Sequence, residues 1–410
     1  MDRFIDPRQR SEYSVSELVT ASIAMFLFHR GSRNQMNLSR QEKKFRRNYR
    51  RLFKKRMPHM DTSDELLREL DESELERLKA VLIRTLIEKK VLNRFRLGRS
   101  YVISIDATHV SSYEDNYCGE CVYRTVGKKG KKVWFHYVLE AKLVTSSGLC
   151  FSIASEWIAN PGTEYDKQDC ELKAFVRLAK KLKSYFPRLP ICIVGDGLYP
   201  NSTVFNICKK NRWDFILTFQ DGNLPSVWEE IALLGKSPNR EWIHKYYTKK
   251  CETVETYCWL NAIEYGKGTV NWIESTIEKT DRKTAEATQN RFVHLSSIEI
   301  TPEQAKAISE AGRMRWKIEN EGFNTQKNLG YELGHKYSET SFNALKNYYQ
   351  CMQIAHIINQ LTQKADTVQK MLMDNPKLSI KFLWEKLISF LDEGNLENIH
   401  KRRSQIRLAG

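Results

Sequence analysis

No apolar run in this sequence can cross a bilayer: the longest, around Leu18 to Phe28, is far shorter than the roughly 20 residues a spanning helix needs. A basic leader followed by a small-residue cleavage site is also missing, so the chain is expected inside the cell, with no membrane partner. Nor is there a disulfide framework, because the nine cysteines are odd in number and irregularly spaced. One pair stands out, in Cys118-Gly119-Glu120-Cys121. No second CxxC accompanies it, so a zinc ion would need further ligands, with His109 and His136 the nearest. The preferred reading of this pair is a tight turn between two strands. Internal repeats and low-complexity tracts are absent. Acid is the remaining shortage: 50 Asp+Glu face 66 Lys+Arg, a net charge of +16. That excess favours a polyanionic partner, nucleic acid first.

What is present describes a globular chain. A hydrophobic fraction of 41% and a charged fraction of 28% are ordinary, and 410 residues suggest two or three units. Residues 1–98 read as helices. Ser14 with Glu17, Ser39 with Glu42, Thr62 with Glu65 and Ser73 with Glu76 each match the S/T-x-x-E capping box. A helix over 40–56 carries Phe45, Tyr49, Leu52 and Phe53 on one stripe and is otherwise basic, with Arg46, Arg47, Arg50, Arg51, Lys54 and Lys55 among its cations; Pro58 is expected to end it. This helix is the best sequence guess for contact with DNA phosphates, a salt-dependent and sequence-blind interaction.

From 99 to 220 the pattern changes to strands alternating with helices. Tyr101–Ile105 is a short β-rich run ending at Asp106. Strands over 135–144 and 150–158, a helix over 172–185, the strand 191–194 ending at Gly195-Asp196, a further helix and the strand 215–219 follow. The order predicts a mixed sheet with helices on both faces, an α/β core. Residues 221–300 hold Trp228, Trp242, Trp259 and Trp272 among aromatic β-type runs and read as a mostly β insertion, the tryptophans packing in its core. Helix returns at Thr301-Pro302 and should run to Gly330; 301–365 rejoins the core, and 366–410, closing on Lys401-Arg402-Arg403, is a helical tail.

Two apolar strands thus each deliver an aspartate at the edge where α/β sheets collect ligand sites, Asp106 and Asp196. A third acid, Glu319, lies on the later helix; steps of four from Arg315 give Glu319, Phe323 and Lys327, one slowly drifting face. Taken alone, Trp316 reads as core. Three carboxylates on a basic chain suit phosphodiester chemistry. Two magnesium ions about 3.5–4 Å apart stabilise both the attacking and the leaving oxygen, and they need only a few oxygen ligands. No Ser-His-Asp triad or cysteine nucleophile is then needed.

These residues resemble the bacterial insertion-sequence transposases of the DDE superfamily. The resemblance covers roughly residues 60–360 and rests on Ser104-Ile105-Asp106-Ala107-Thr108, on Val194-Gly195-Asp196-Gly197-Leu198-Tyr199-Pro200-Asn201, and on Arg315-Trp316-Lys317-Ile318-Glu319-Asn320-Glu321-Gly322-Phe323. It implies a ribonuclease-H-like catalytic domain with a β insertion and an all-α N-terminal domain. It further implies Asp106, Asp196 and Glu319 as ligands of two Mg ions (Mn as substitute), with Arg315 and Lys327 on DNA phosphate near the cut. The implied activity is cut-and-paste transposition: hydrolysis at terminal repeats on double-stranded DNA and strand transfer into target DNA, by a homodimer in a bacterial, nucleoid-associated setting. A non-catalytic DNA-binding relic and a ribonuclease-H-like nuclease without strand transfer are the alternatives. Two positions depart from the family. Gly312 stands where a Tyr is usual, and the Lys falls eight residues after Glu319, at Lys327, where seven is usual and Gln326 stands. Glu321 is a rival third acid, about 200° round the helix from Glu319.

Overall fold

The computed structural model describes residues 4–8, 12–115, 118–128, 130–162, 164–234, 241–248, 250–396 and 407–408. The basic run Lys401-Arg402-Arg403 lies outside them. Five helices come first: α1 (Val15–Leu27), α2 (Arg33–Gln41), α3 (Lys43–Phe53), α4 (Met60–Glu69) and α5 (Glu72–Glu88). Then come β1 (Tyr101–Tyr113), β2 (Val122–Val126), β3 (Lys131–Val144), β4 (Cys150–Ile158), α6 (Glu171–Tyr185), β5 (Ile191–Gly195), α7 (Ser202–Asn211), β6 (Asp214–Thr218) and α8 (Pro225–Leu234). The strands β7 (Glu241–Tyr247), β8 (Cys251–Tyr265), β9 (Gly268–Asp281) and β10 (Ala287–Ser296) form the insertion. The chain continues with α9 (Pro302–Arg313), a π-helical segment (Ile318–Asn324), α10 (Thr325–Asn328), α11 (Phe342–Gln363), α12 (Asp366–Asp374) and α13 (Ile380–Glu393).

One mixed sheet runs through the molecule in the order β2-β3-β1-β5-β6-β10-β9-β8-β7, with β4 also paired to β3. Its centre is parallel, β1 with β5 and β5 with β6, while β3 and β10 join antiparallel. The alternation of the central strands shows that both faces are covered. Ile103, Ile105, Ile191, Ile193, Phe215 and Leu217 point into one core with α6 and α7. Val102, Cys192, Val194 and Ile216 point into another, closed by Ala305, Ile308 and Ala311 of α9. A period of two that buries both sets of side chains is what a parallel centre requires. The α/β sheet with helices on both faces, the helical N-terminal region and the β-rich 241–296 agree with the sequence reading.

A third core joins the N-terminal helices to the sheet: Leu18, Met25, Phe45 and Leu66 share it with Val138, Trp157, Tyr348 and Met352. The 22-residue α11 is buried along most of its length, which suits a central post rather than an amphipathic surface helix.

Several local expectations need correction. Ser14 and Glu17 do form a capping box, but Ser39, Thr62 and Ser73 lie inside helices whose caps are Ser32, His59 and Asp71. Short polar residues in a helix interior mimic the motif, and only the backbone conformation of the cap separates the two. The basic helix is two helices. It breaks at Glu42, which is extended (φ −74°, ψ 121°), and ends at Lys54 in a left-handed conformation, before Pro58 is reached. Its stripe is narrower than expected, since Phe45 and Tyr49 are buried but Leu52 is exposed. β1 does not end at Asp106. Antiparallel β3 supplies partners through Tyr113, so the ladder outlasts the apolar run that announced it. β2, which pairs with β3, is the second of the two strands that flank the Cys118–Cys121 turn. The helix begun at Thr301 does not run unbroken to Gly330; regular α9 ends at Arg313.

Candidate active site

Parallel pairing of β1 with β5 fixes the two aspartates. The last register pair is Ser104 with Val194; Asp106 lies two residues further along β1, and Asp196 is the residue that follows the end of β5 at Gly195. Neighbouring strands run about 4.8 Å apart, so the pattern of two apolar strands brings both aspartates out at the same edge of the sheet. The Asp106 carboxylate accepts from the Ala107 N–H at 2.8 Å, and Asp196 accepts from the Leu198 N–H at 2.9 Å.

The third acid arrives on the other side of β1. Ser104 Oγ donates to the Arg315 carbonyl at 3.1 Å, tying the start of that helical stretch to the strand. Arg315 Nη1 pairs with Glu319 one turn on and lies 3.9 Å from Asp106 Oδ2. Asp106 and Glu319 therefore share one guanidinium nitrogen between them. Glu321 is elsewhere: it pairs with Lys317 at 3.1 Å, beside Gly148, on the far side of the helix. Of the two rival acids, Glu319 is the one beside Asp106.

The acids gather without closing on a single point. Among the described residues, no three carboxylates bring oxygens within 4.8 Å of one another. The guanidinium of Arg315 stands between Asp106 and Glu319. Burial pushes the Asp106 carboxyl up to about 7, the Ala107 N–H opposes this, and the nearby carboxylates of Glu319 and Glu171 raise it further. Ionising a carboxylate in such a place is costly without a cation. The donor set is oxygen only, on three separate elements, which fits a hard divalent ion such as Mg that keeps several waters.

The π-helical segment accounts for the displaced lysine. A π-turn takes one residue more than an α-turn. With one such residue between Glu319 and α10, the eighth position stands where the seventh would in a regular helix. Lys327 thus faces the site and feels the charge of Asp106, while burial lowers its pKa. Gln326, the seventh, is fully buried and bonded to Gln353 and His356. The unusual spacing and the unusual helix compensate each other. Gly322 sits inside the segment, where a Cβ would come within 3.2 Å of the Cys150 sulfur. The other departure has a steric cause: a Cβ on Gly312 would meet the His294 ring at 2.6 Å. His294, fully buried on β10, fills the space a larger side chain would need.

Sequence reasoning missed Glu171, at the start of α6. Its carboxylate accepts from the Tyr199 hydroxyl at 2.6 Å, and burial raises its pKa, with the charge of Asp196 adding to the rise. An acid in a first helical turn is commonplace, so nothing in the sequence marked it. Trp316, read as core, is 54% exposed and stacks against Arg315 with the guanidinium 5.5 Å from its ring. Trp259 and Trp272 pack in the core as expected, and Trp228 stacks on Phe219 at 4.6 Å.

The basic residues of the N-terminal region form a surface depression of about 770 Å³ lined by Arg40, Arg46, Arg47, Arg50, Arg51, Lys54 and Arg56. Lys55 is not among them; it borders an apolar hollow with Leu52 and Leu78. Asn48 anchors this helix, donating to the carbonyls of Leu391 and Gly394 at 2.8 and 3.0 Å. Arg56 is committed to Glu17 and to the Tyr13 ring.

No helix among the described residues is long and apolar enough to cross a membrane. No family model and no curated protein matches the sequence. Among solved structures, the chain is similar to piggyBac transposase, seen by cryo-EM in its synaptic complex with hairpin DNA, at 12% identity and a TM-score of 0.39 over 97% of this chain and 77% of that one.

Proposed function

We propose that the chain is a DNA transposase that cleaves phosphodiester bonds at element ends and joins the freed 3′-hydroxyl to target DNA. The observation that carries the reading is the meeting of Asp106 and Glu319 at one Arg315 nitrogen, with Asp196 just past the end of the neighbouring strand β5. Asp106, Asp196 and Glu319 would hold two Mg ions, with Mn able to replace them. The ions would supply Lewis acidity to the attacking and leaving oxygens. Arg315 neutralises charge between two carboxylates that would otherwise repel, and its fork suits a phosphate oxygen pair. Lys327 places a second cation on the same side. Arg46, Arg47, Arg50, Arg51 and Lys54 would hold the duplex by its backbone, fixing position without reading sequence. Holding two element ends at once calls for a homodimer, and the work belongs inside a bacterial cell, at the nucleoid.

The test is incubation of the full chain with end-bearing DNA, target plasmid and Mg. Joined product that disappears with Asp106→Asn or Asp196→Asn, while DNA binding persists, supports the reading. Cleavage that persists in either variant overturns it.

A further inference from the structure

The pair Cys118 and Cys121 has a third member. Cys118 Sγ lies 3.2 Å from Cys121 Sγ and 3.6 Å from His136 Nε2, and Cys121 Sγ lies 3.7 Å from the same nitrogen. The three ligand atoms fall within 4.8 Å of one another, the one such group among the described residues. His136 comes from β3, and the cysteines from the turn between β1 and β2 where Gly119 takes a positive φ of 72°. Both cysteines are free thiols. A disulfide would need its sulfurs about 2.0 Å apart.

We infer that Cys118, Cys121 and His136 form a zinc-binding site, separate from the carboxylate cluster and taking a fourth ligand from water. Tetrahedral zinc, with bonds of about 2.3 Å to sulfur and 2.0–2.1 Å to nitrogen, separates its ligand atoms by roughly 3.5–3.8 Å. The two sulfur–nitrogen distances already match, and the sulfurs need to open by about half an ångström. Two thiolates and an imidazole are soft donors that select zinc over magnesium, as the all-oxygen carboxylate set selects the reverse. The ligands are held from outside as well. The His136 ring stacks on Phe342 at 3.9 Å and 8°, and Phe342 meets Trp157 edge-on at 5.2 Å. An ion here would join the far end of β1, beyond Asp106, to β3 and to the start of α11. Its role is that of a staple on the sheet carrying the first catalytic acid.

The experiment is metal analysis of the purified full chain after exposure to zinc and gel filtration, with cobalt substitution as a second readout. About one zinc per chain is expected in the wild type and in Cys170→Ser, whose thiol is exposed and outside the group, and none in Cys118→Ser/Cys121→Ser. Asp106→Asn should keep its zinc, so failure of the transposase reading would leave this result standing. Cobalt should give thiolate charge-transfer absorption in the wild type, which decides the matter even if the double variant does not fold. Zinc absent from the wild type, zinc retained by a folded double variant, or cobalt bound without thiolate absorption would each overturn the inference.

Discussion

The acids of the sheet and the acid of the helix are brought to the same edge of the sheet by different means. Asp106 lies on β1 and Asp196 directly follows β5, adjacent parallel strands whose register is fixed by buried residues on both faces, so neither strand can slip without turning a core side chain outward. Glu319 sits at the start of a π-helical segment, held by Ser104 and by its pairing with Arg315. The strand pair gives a rigid half-site. The helical half depends on one inserted residue and on the fit of Gly312 beneath His294. A sheet sets geometry through its pattern, whereas this helix sets it through packing.

The largest test breaks the strand half. Asp106→Asn should lower metal-dependent DNA cleavage by at least about a thousandfold, since metal stabilisation is worth several kcal/mol and each 1.4 kcal/mol is tenfold. DNA retention on a filter should be unchanged.

The next sharpens the helical half. Lys327→Gln should reduce cleavage by about 10- to 100-fold, the usual worth of a charge-assisted hydrogen bond. Adding Gln326→Lys, which restores the family's spacing, should not rescue it, because position 326 is buried against Gln353 and His356. Rescue would contradict the π-helical account.

A smaller effect is expected from Gly312→Tyr, which restores the usual family residue. It should destabilise the protein by about 1–3 kcal/mol in urea unfolding, through overpacking against His294. His294→Ala should recover part of that loss; a fully stable single variant would show that the site is not filled.

The smallest is a pH slope. Burial, with Arg313 and Arg315 adding to it, lowers the pKa of His294 from 6.5 to about 4. The unfolded chain then binds the proton more readily than the folded one, so stability should be full above pH 6.5 and fall as the pH drops toward 4. One proton limits the slope to about 1.4 kcal/mol per pH unit. His294→Gln should be less sensitive over that window, as read from unfolding midpoints.

The same contrast explains what could be read before folding. Ile103, Ile105, Ile193 and Val194 announce two strands and so announce Asp106 and Asp196. Ser14 and Glu17 announce the first helix. By contrast, Ser39, Thr62 and Ser73 carry the same motif inside helices, where only backbone conformation distinguishes them. Glu319 was legible through the Arg-Trp-x-Ile-Glu resemblance rather than through periodicity. Lys327 looked misplaced because the π-helical segment between Glu319 and α10 shifts the register by one residue, which no local pattern encodes. Glu171 stayed hidden for a related reason: it joins Tyr199 and Asp196 only when elements further along the chain are laid beside it.

The central claim is that Asp106, Asp196 and Glu319 together hold divalent metal. Anomalous diffraction from crystals soaked in Mn tests it directly. The account predicts manganese peaks in contact with Asp106 and Asp196, at least one of them also contacting Glu319. Peaks absent from these carboxylates, or Glu319 remaining on Arg315 with no metal beside it, would contradict the account.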